Sequence, residues 1–321
     1  MRPFLIYNQF FDFETFATAA KHWNLDFMLL ERGGFRGTLM QFGDDEVQIA
    51  DCWLGRSMYQ RGEARPDNYT FAIPHSQGTP FTWRKTSCPA NGIAVFPEDN
   101  ELEAVSPAGF HVLTVTVSER YLDQFCQRGG FPEPERFIRR GQISLCEWSK
   151  VNQIRTVLEP LCNHLRANPA LLNESSLRGS FKLDILLLIV QALLASAEHR
   201  VFDDKSRKTE AVMRALDYIA AYPEAPCTLV ELCGVTGVSE RTLRNGFQDL
   251  LSVSPKHYIL YRKLHQVRRN LINEEGTCKP IADIANAYGF WHLGQFAADY
   301  RKLFGELPSK TRTNALLKLR S

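Results

Sequence analysis

The stretch TLVELCGVTGVSERTLRNGFQDLL, Thr228 to Leu251, decides how the rest of the chain is read. Its opening residues predict a short helix that buries Leu229, Leu232 and Val235 and is broken by the Gly237-Val238 pair. Ser239 follows as the N-cap of a second helix, because its hydroxyl can accept from a first-turn N–H that lacks a partner within the helix. That second helix keeps Leu243, Phe247 and either Leu250 or Leu251 on one stripe, at amphipathic helical spacing. Helix, glycine turn and capped helix together make a helix-turn-helix, whose second helix enters the major groove of DNA.

The chain repeats the pattern further on as PIADIANAYGFWHLGQFAADYRKLFGELPS, Pro280 to Ser309. Pro280 stands where a first helical turn tolerates proline. Ile281, Ile284, Ala285 and Tyr288 form the inner stripe, and Gly289 ends that helix. The next helix places Phe296, Tyr300 and Phe304 four residues apart, and Gly305 stops it. Between the copies, YILYRKLHQVRRNLI is helical by period, with Leu264, Val267 and Leu271 inward and Arg262, Lys263, Arg268 and Arg269 outward. The expected organisation is a first helix-turn-helix over about 228–251, a connecting helix over about 256–273, and a second helix-turn-helix over about 280–305.

Paired helix-turn-helices, SPKHY leading into an arginine-rich connecting helix, and a closing GF-(x5)-F-(x3)-Y-(x3)-FG-(x2)-P resemble the AraC/XylS transcription regulators over roughly the last 100 residues. One position departs from that pattern. Ser252 stands where the family usually has glycine, so a less left-handed path is expected there. The resemblance implies an N-terminal cupin-like effector domain, homodimerisation through intervening helices, double-stranded DNA as partner, and RNA polymerase as a further partner if the protein is an activator. The stretches GTLMQF, AIP, VLTVTVSE and GFWHLGQFAADYRKLFGELPS look most like the ethanolamine-utilisation regulators of this family, which implies ethanolamine and adenosylcobalamin as effectors. A regulator of another catabolic, virulence or stress pathway, answering to a different metabolite, is the alternative.

Composition fits this reading. The chain has 321 residues, 44% of them hydrophobic, and a formal net charge of +2; that length favours two domains over one. Residues 209–321 hold 15 Lys and Arg against 11 Asp and Glu, a mild positive excess that suits a polyanion. The eight cysteines form no CxxC pair and no Cys/His zinc spacing, which reads as reduced, mostly buried thiols. MRPFLIYNQF has no sustained apolar run, so a cytoplasmic protein is expected.

From Leu25 to about Val117 short strands alternate with Gly, Pro and Asn punctuation, the pattern of a β-sandwich or barrel. The absence of an HxH and the scatter of the eight histidines argue against a catalytic metal cupin fused to a DNA-binding module. No nucleophile, carboxylate pair or phosphate loop stands out, so neither catalytic nor metal-binding residues are expected. His111 alternates with Leu113, Val115 and Val117 and reads as a hydrogen-bonded core histidine. Effector contacts are expected from Trp53, Tyr59, Trp83 and His111, with Phe71 and Phe96 as further apolar walls. Asp51, Glu98 or Glu103 would meet a cationic ligand.

From about Glu147 the period returns to helix. FKLDILLLIVQALLASA, Phe181 to Ala197, is the most apolar stretch, interrupted by Lys182, Asp184 and Gln191, and falls short of the ~20 uninterrupted residues of a membrane span. The polar run Glu198 to Lys208 reads as a linker. The expected class is α+β: a cupin-like regulatory domain over 1–145, a helical dimerisation segment and linker over 146–207, and a DNA-binding domain over 208–321.

On the first recognition helix Ser239, Glu240, Arg241, Arg244 and Asn245 lie off the buried stripe near the N-terminal end, and arginine and asparagine can bond bidentately to guanine and adenine. Glu240 and Arg244, four apart, also suit a surface ion pair. The second recognition helix offers His292, Leu293, Gln295 and Ala297, with Arg301 and Lys302 for phosphates. Arg268 and Arg269 are expected on the outer face of the connecting helix. The first recognition helix should therefore carry most of the specificity and the second most of the docking.

Overall fold

The computed structural model describes residues 3–19, 25–63, 66–84, 86–98, 102–196, 198–200, 207–222, 227–273 and 279–319. Part of the expected linker (201–206), Glu274 and Cys278 lie outside the described residues. The chain divides into two units, Met1–Phe27 with Arg36–Asp203 and Met28–Phe35 with Asp204–Ser321.

The first unit is built on strands of which the central ones, Val47–Leu54, Asn68–Pro74, Gly92–Val95 and Phe110–Ser118, are buried on both sides. β1 (Phe4–Phe10), β2 (Leu25–Leu29), β3 (Gly37–Gly43), β4 (Val47–Leu54), β5 (Met58–Gly62), β6 (Asn68–Pro74), β7 (Phe81–Trp83), β8 (Thr86–Cys88), β9 (Gly92–Val95), β10 (Leu102–Ser106), β11 (Phe110–Ser118), β12 (Ile143–Leu145) and β13 (Glu198–Arg200) fall into two sheets. The larger runs β1-β3-β4-β11-β6-β9-β12-β13 and the smaller β2-β5-β10-β7-β8. The expected β-domain is thus two sheets and not one closed barrel.

Register explains the double burial. β11 pairs antiparallel with β4 on one side and β6 on the other, so Val115 sits opposite both Ile49 and Phe71. Because side chains alternate along a strand, Leu113, Val115 and Val117 of β11 turn to one face. There they join Phe42, Ile49, Phe71 and Val95 against two helices, α4 (Trp148–Ala167) and α5 (Ser175–Leu194), through Ile154, Leu158, Ile185 and Ile189. The intervening residues Phe110, Val112 and Thr114 turn the other way, toward a cavity. The described residues of the unit also form three shorter α-helices, α1 (Phe13–Ala19), α2 (Glu119–Gly129) and α3 (Pro134–Phe137), and a 3-10 turn at Pro169–Asn173.

The charge that interrupts the apolar run of α5 is internal. Lys182 is 6% exposed and pairs with Asp44 and, at 3.0 Å, with Glu46 in the β3–β4 turn. Burial alone would lower the Lys182 pKa, but the two carboxylates outweigh it and hold the ammonium above its ordinary value. No helix among the described residues is long and apolar enough to cross a membrane.

Among the described residues, seven helices form most of the second unit: α6 (Arg207–Ala221), α7 (Leu229–Thr236), α8 (Glu240–Leu251), α9 (Pro255–Ile272), α10 (Ile281–Ala287), α11 (Leu293–Phe304) and α12 (Pro308–Leu319). The Met28–Phe35 segment belongs to this unit too. Leu29 N–H donates to His265 Nε2 at 3.0 Å, Arg32 Nε donates to Tyr261 Oη at 3.2 Å, and Gly33 N–H donates to the Lys302 carbonyl at 2.8 Å. The last of these bonds satisfies a carbonyl in the final turn of α11, where the helix leaves acceptors without internal partners.

Candidate nucleic-acid interface

Local chemistry fixes the ends of the first helix pair. Thr228 caps α7 by accepting from Glu231 N–H at 3.2 Å, and Glu231 accepts from Thr228 N–H at 2.7 Å, a reciprocal capping box. Gly237 ends α7 in the left-handed region at φ 66°. Two residues later Ser239 caps α8, its Oγ accepting from Thr242 N–H at 3.2 Å. Leu232, Leu243, Phe247 and Leu251 are buried between the helices. Val235 is instead 44% exposed, and Thr236, 4% exposed, occupies the inner position. Seven residues past Leu229 make two full turns, which returns Thr236 to the inner stripe, and its hydroxyl is satisfied by the Leu232 carbonyl at 2.7 Å.

The α8–α9 junction departs from the expected backbone. Ser252 takes φ 58° and ψ 19°, fully left-handed despite its Cβ, and its N–H caps α8 by donating to the Gln248 carbonyl. Three interactions hold it there: that cap bond at 3.0 Å, the buried Leu251, and the Ser254 N-cap of α9 accepting from His257 N–H at 3.3 Å.

In the second pair, Gly289 at φ 80° turns the chain out of α10, and α11 buries Phe296, Tyr300, Leu303 and Phe304. Gly305 at φ 77° ends it.

A family of domains described as "Helix-turn-helix domain" matches residues 232–314, which span both pairs. The chain is similar to the "Probable thc operon regulatory protein" of Rhodococcus erythropolis, 31% identical over 126 residues, 38% of each chain. It is similar to the "XylDLEGF operon transcriptional activator" of Pseudomonas putida, 33% identical over 123 residues, 38% of this chain and 37% of that one. Among solved structures it resembles a probable AraC family transcriptional regulator from Rhodopseudomonas palustris CGA009, 34% identical over 33% of this chain and 96% of the other, with a TM-score of 0.30. Residues 232–314 thus form a helix-turn-helix domain of the AraC/XylS type. The chain spans less than two fifths of the length of those two operon regulators.

The helix-turn-helix domain exposes most of the residues expected to face DNA. Ser239, Glu240, Arg241, Arg244 and Asn245 are exposed along the N-terminal half of α8, as are His292, Leu293 and Gln295 at the start of α11. Arg269, Arg301 and Lys302 are exposed and Ala297 is half-buried. Within this set Arg244 Nε donates to Glu240 Oε1 at 2.8 Å, and Gln295 Nε2 donates to Asp299 Oδ2 at 2.9 Å.

Arg268 is a correction. It is 3% exposed, and its Nη1 donates to Tyr300 Oη at 3.2 Å, Glu306 Oε1 at 2.9 Å and Thr311 Oγ1 at 3.1 Å. The guanidinium faces inward because α11 and α12 supply acceptors that the period of α9 alone does not reveal. The sequence reading also passed over two α11-side residues, Trp291, 73% exposed, and Asp299, which also lies 3.9 Å from Lys302. An exposed tryptophan just ahead of a helix start was the available signal for the first.

In the first unit a cavity lies against strands of both sheets, lined by Phe16, Phe81, Trp83, Phe96, Phe110 and Gln60 among others. Its volume is small, about 40 Å³. Of the four residues expected to touch an effector, Trp83 alone lines it. Trp53 and His111 do not, because their strand neighbours Cys52 and Leu54, Phe110 and Val112 face the cavity and alternation turns them away. Tyr59 is absent from the lining and donates to Glu103 Oε1 at 2.7 Å. Phe96 lines the cavity, whereas Phe71 belongs to the core under the helices.

His111 is instead part of a polar cluster. Its Nε2 lies 2.6 Å from Asp51 Oδ1, its ring stacks on His75 at 3.6 Å, and Arg166 Nη2 donates to Asp51 Oδ2 at 2.9 Å. Burial works to raise the Asp51 pKa, but the His111 hydrogen bond and the His111, Arg166 and His75 charges outweigh it, so the carboxyl stays below its ordinary range. This acid is therefore committed to its neighbours and is not held for a ligand.

Proposed function

We propose that the protein is a sequence-specific DNA-binding transcription regulator, an activator, controlled by a small molecule bound in its N-terminal unit. One observation carries the proposal: two successive helix-turn-helices each present the N-terminal half of their second helix to solvent, and the first carries Arg241, Arg244 and Asn245 there. Those side chains match the hydrogen-bonding edges of guanine and adenine in the major groove. The Glu240–Arg244 pair is no obstacle, since an exposed ion pair contributes at most about 1 kcal/mol and can open against a base. On α11, Gln295 is already bonded to Asp299, which competes with any bond from its amide to a base. Base readout is therefore assigned mainly to α8, and docking to α11 through Arg301, Lys302 and the exposed Trp291. Two operon regulators to which the chain is similar control gene clusters by name, which supports the operon-regulator reading.

The second copy of the chain is its partner in this reading. α5 is apolar around its circumference, and Leu183, Leu187 and Leu194 remain 51%, 38% and 39% exposed. A helix with that face left to water suits a two-fold contact with an identical helix.

The test is binding of the full chain to its operator with each base pair changed in turn, at several salt concentrations. Affinity should fall steeply with salt, and changes beneath α8 should cost about 1–3 kcal/mol each while changes beneath α11 cost less. Equal costs under both helices would overturn the division of labour. Binding that ignores salt and sequence would overturn the regulator reading.

A further inference from the structure

The cavity of the N-terminal unit has a chemistry narrow enough to name its ligand class. Its walls are mainly aromatic: Phe16, Phe81, Trp83, Phe96 and Phe110 all line it. Neither Asp, Glu, Lys, Arg nor His is among the lining residues. The lining thiol, Cys52, is driven up from its ordinary pKa by burial and by the nearby Asp51 charge, so it too is uncharged. An ion entering this space would shed its water with no opposite charge to meet.

Two of the polar lining groups are already satisfied by each other and by the backbone. Gln60 Nε2 donates to Ser106 Oγ at 3.1 Å, and Ser106 Oγ donates to the Met58 carbonyl at 3.4 Å. Trp83 differs. It is 2% exposed, and its Nε1–H has no hydrogen-bond partner. Packing holds the ring, which lies 5.0 Å from Phe96 and 6.3 Å from Phe81, on a strand whose register sets Trp83 opposite Ala104 of β10. A buried donor without an acceptor is costly and uncommon, and here it is locked beside an empty apolar space.

We propose that this cavity binds a small, uncharged, flat molecule, mainly hydrocarbon and best aromatic, whose one hydrogen-bond acceptor takes the Trp83 Nε1–H. The assignment rests on the reading of this unit as the effector-binding part of the regulator. The free volume is small, about 40 Å³, so an occupant must part the aromatic walls as it enters, and a thin planar ring does so with less displacement than a bulky one. A corrinoid is far too large for it. Ethanolamine would bring an ammonium that finds no carboxylate, and a sugar would bring more hydroxyls than the wall can pair. The expectation of ethanolamine or adenosylcobalamin is therefore not met by this cavity.

The experiment uses the purified full chain and four probes: acetophenone, which is neutral and carries one acceptor; ethylbenzene, of similar shape without it; benzoate; and ethanolamine. Melting temperature and tryptophan fluorescence are followed to saturation, with operator binding measured on the same samples. Acetophenone should saturate and raise the melting temperature, and ethylbenzene should bind about tenfold more weakly. Benzoate and ethanolamine should do neither. Trp83→Phe should remove the preference for acetophenone over ethylbenzene while leaving a cavity that takes both. Ala104→Leu, which fills the space and leaves Trp83 in place, should abolish binding of both aromatic probes and serves if Trp83→Phe does not fold. Saturable binding of benzoate or ethanolamine as tight as that of acetophenone, a preference that survives Trp83→Phe, or no saturation by either aromatic probe would each overturn the proposal. Salt-dependent operator binding that persists without probe binding would sink the ligand class alone. Probe binding with no operator binding would sink the regulator reading and leave the cavity assignment standing.

Discussion

At the scale of single residues, helical period says which way a side chain points but not what waits there. Arg268 and Lys182 show the difference. Their acceptors come from Glu306, 38 residues away, and Asp44, 138 residues away, distances no local pattern spans. Arg268→Ala should destabilise the protein by about 3 kcal/mol, because the half-buried Glu306 carboxylate and the buried Tyr300 hydroxyl lose their cation. Urea unfolding measures this, and a variant that folds as stably as the parent while losing DNA affinity would return Arg268 to the DNA surface. Ser252 carries the opposite expectation. Its left-handed backbone strains an L-residue, so Ser252→Gly should raise stability by up to about 1 kcal/mol, the relief offset in part by the greater freedom of glycine in the unfolded chain. A loss of stability in the same unfolding experiment would show that the Ser252 side chain contributes more than its strain costs.

Among whole elements, those written in local chemistry were legible and those completed by distant chain were not. Ser239, the Gly237 turn, the Phe296–Tyr300–Phe304 stripe and the Pro255 start of α9 are all set by residues within one or two turns. The Met28–Phe35 segment is different: its anchor, His265, lies 236 residues beyond Leu29. His265 accepts the Leu29 N–H through Nε2, so it must be neutral at that atom, and its ring packs edge-on against Phe304 at 4.9 Å. Burial, then the charges of Arg269 and Arg268, push its pKa well below 6.5. A histidine whose folded pKa is depressed is protonated first in the unfolded chain. The stability it confers is therefore complete above about pH 6.5 and declines as pH falls below that value, by up to about 1.4 kcal/mol per pH unit until the folded pKa is reached. Hydrogen exchange at the Leu29 amide, corrected for its intrinsic pH dependence, should quicken between pH 7 and pH 5. His265→Gln, which keeps an acceptor but does not titrate, should remove that dependence. Protection that stays level with pH in the parent would show that the segment is held by Arg32 and Gly33 and not by His265.

For the molecule as a whole, the class of fold could be read from alternation and punctuation, but the split into two sheets and the choice of cavity wall could not. Both faces of the larger sheet carry apolar residues, so Trp53 and His111 were as eligible for the cavity as Cys52 or Val112; only register decided between them. The same ambiguity touches α5, whose circumference is apolar enough that its outward side gives no signal by composition. Solvent exposure separates them: Ile185, Leu186 and Ile189 are buried, while Leu183 and Leu187 stand open beside Phe125 and Phe131 around a surface groove. If a second copy covers that face, placing carboxylates there breaks the association without touching the inner packing. The double variant Leu183→Glu, Leu187→Glu should halve the mass seen by sedimentation at micromolar concentration and leave tryptophan fluorescence unchanged. Charged groups facing each other across a two-fold contact would each lose water unpaired. Operator binding should weaken as well, since two linked domains gain from effective concentration what a single one lacks. A parent that sediments as a monomer, or a variant that stays paired, would leave this leucine face without its proposed partner.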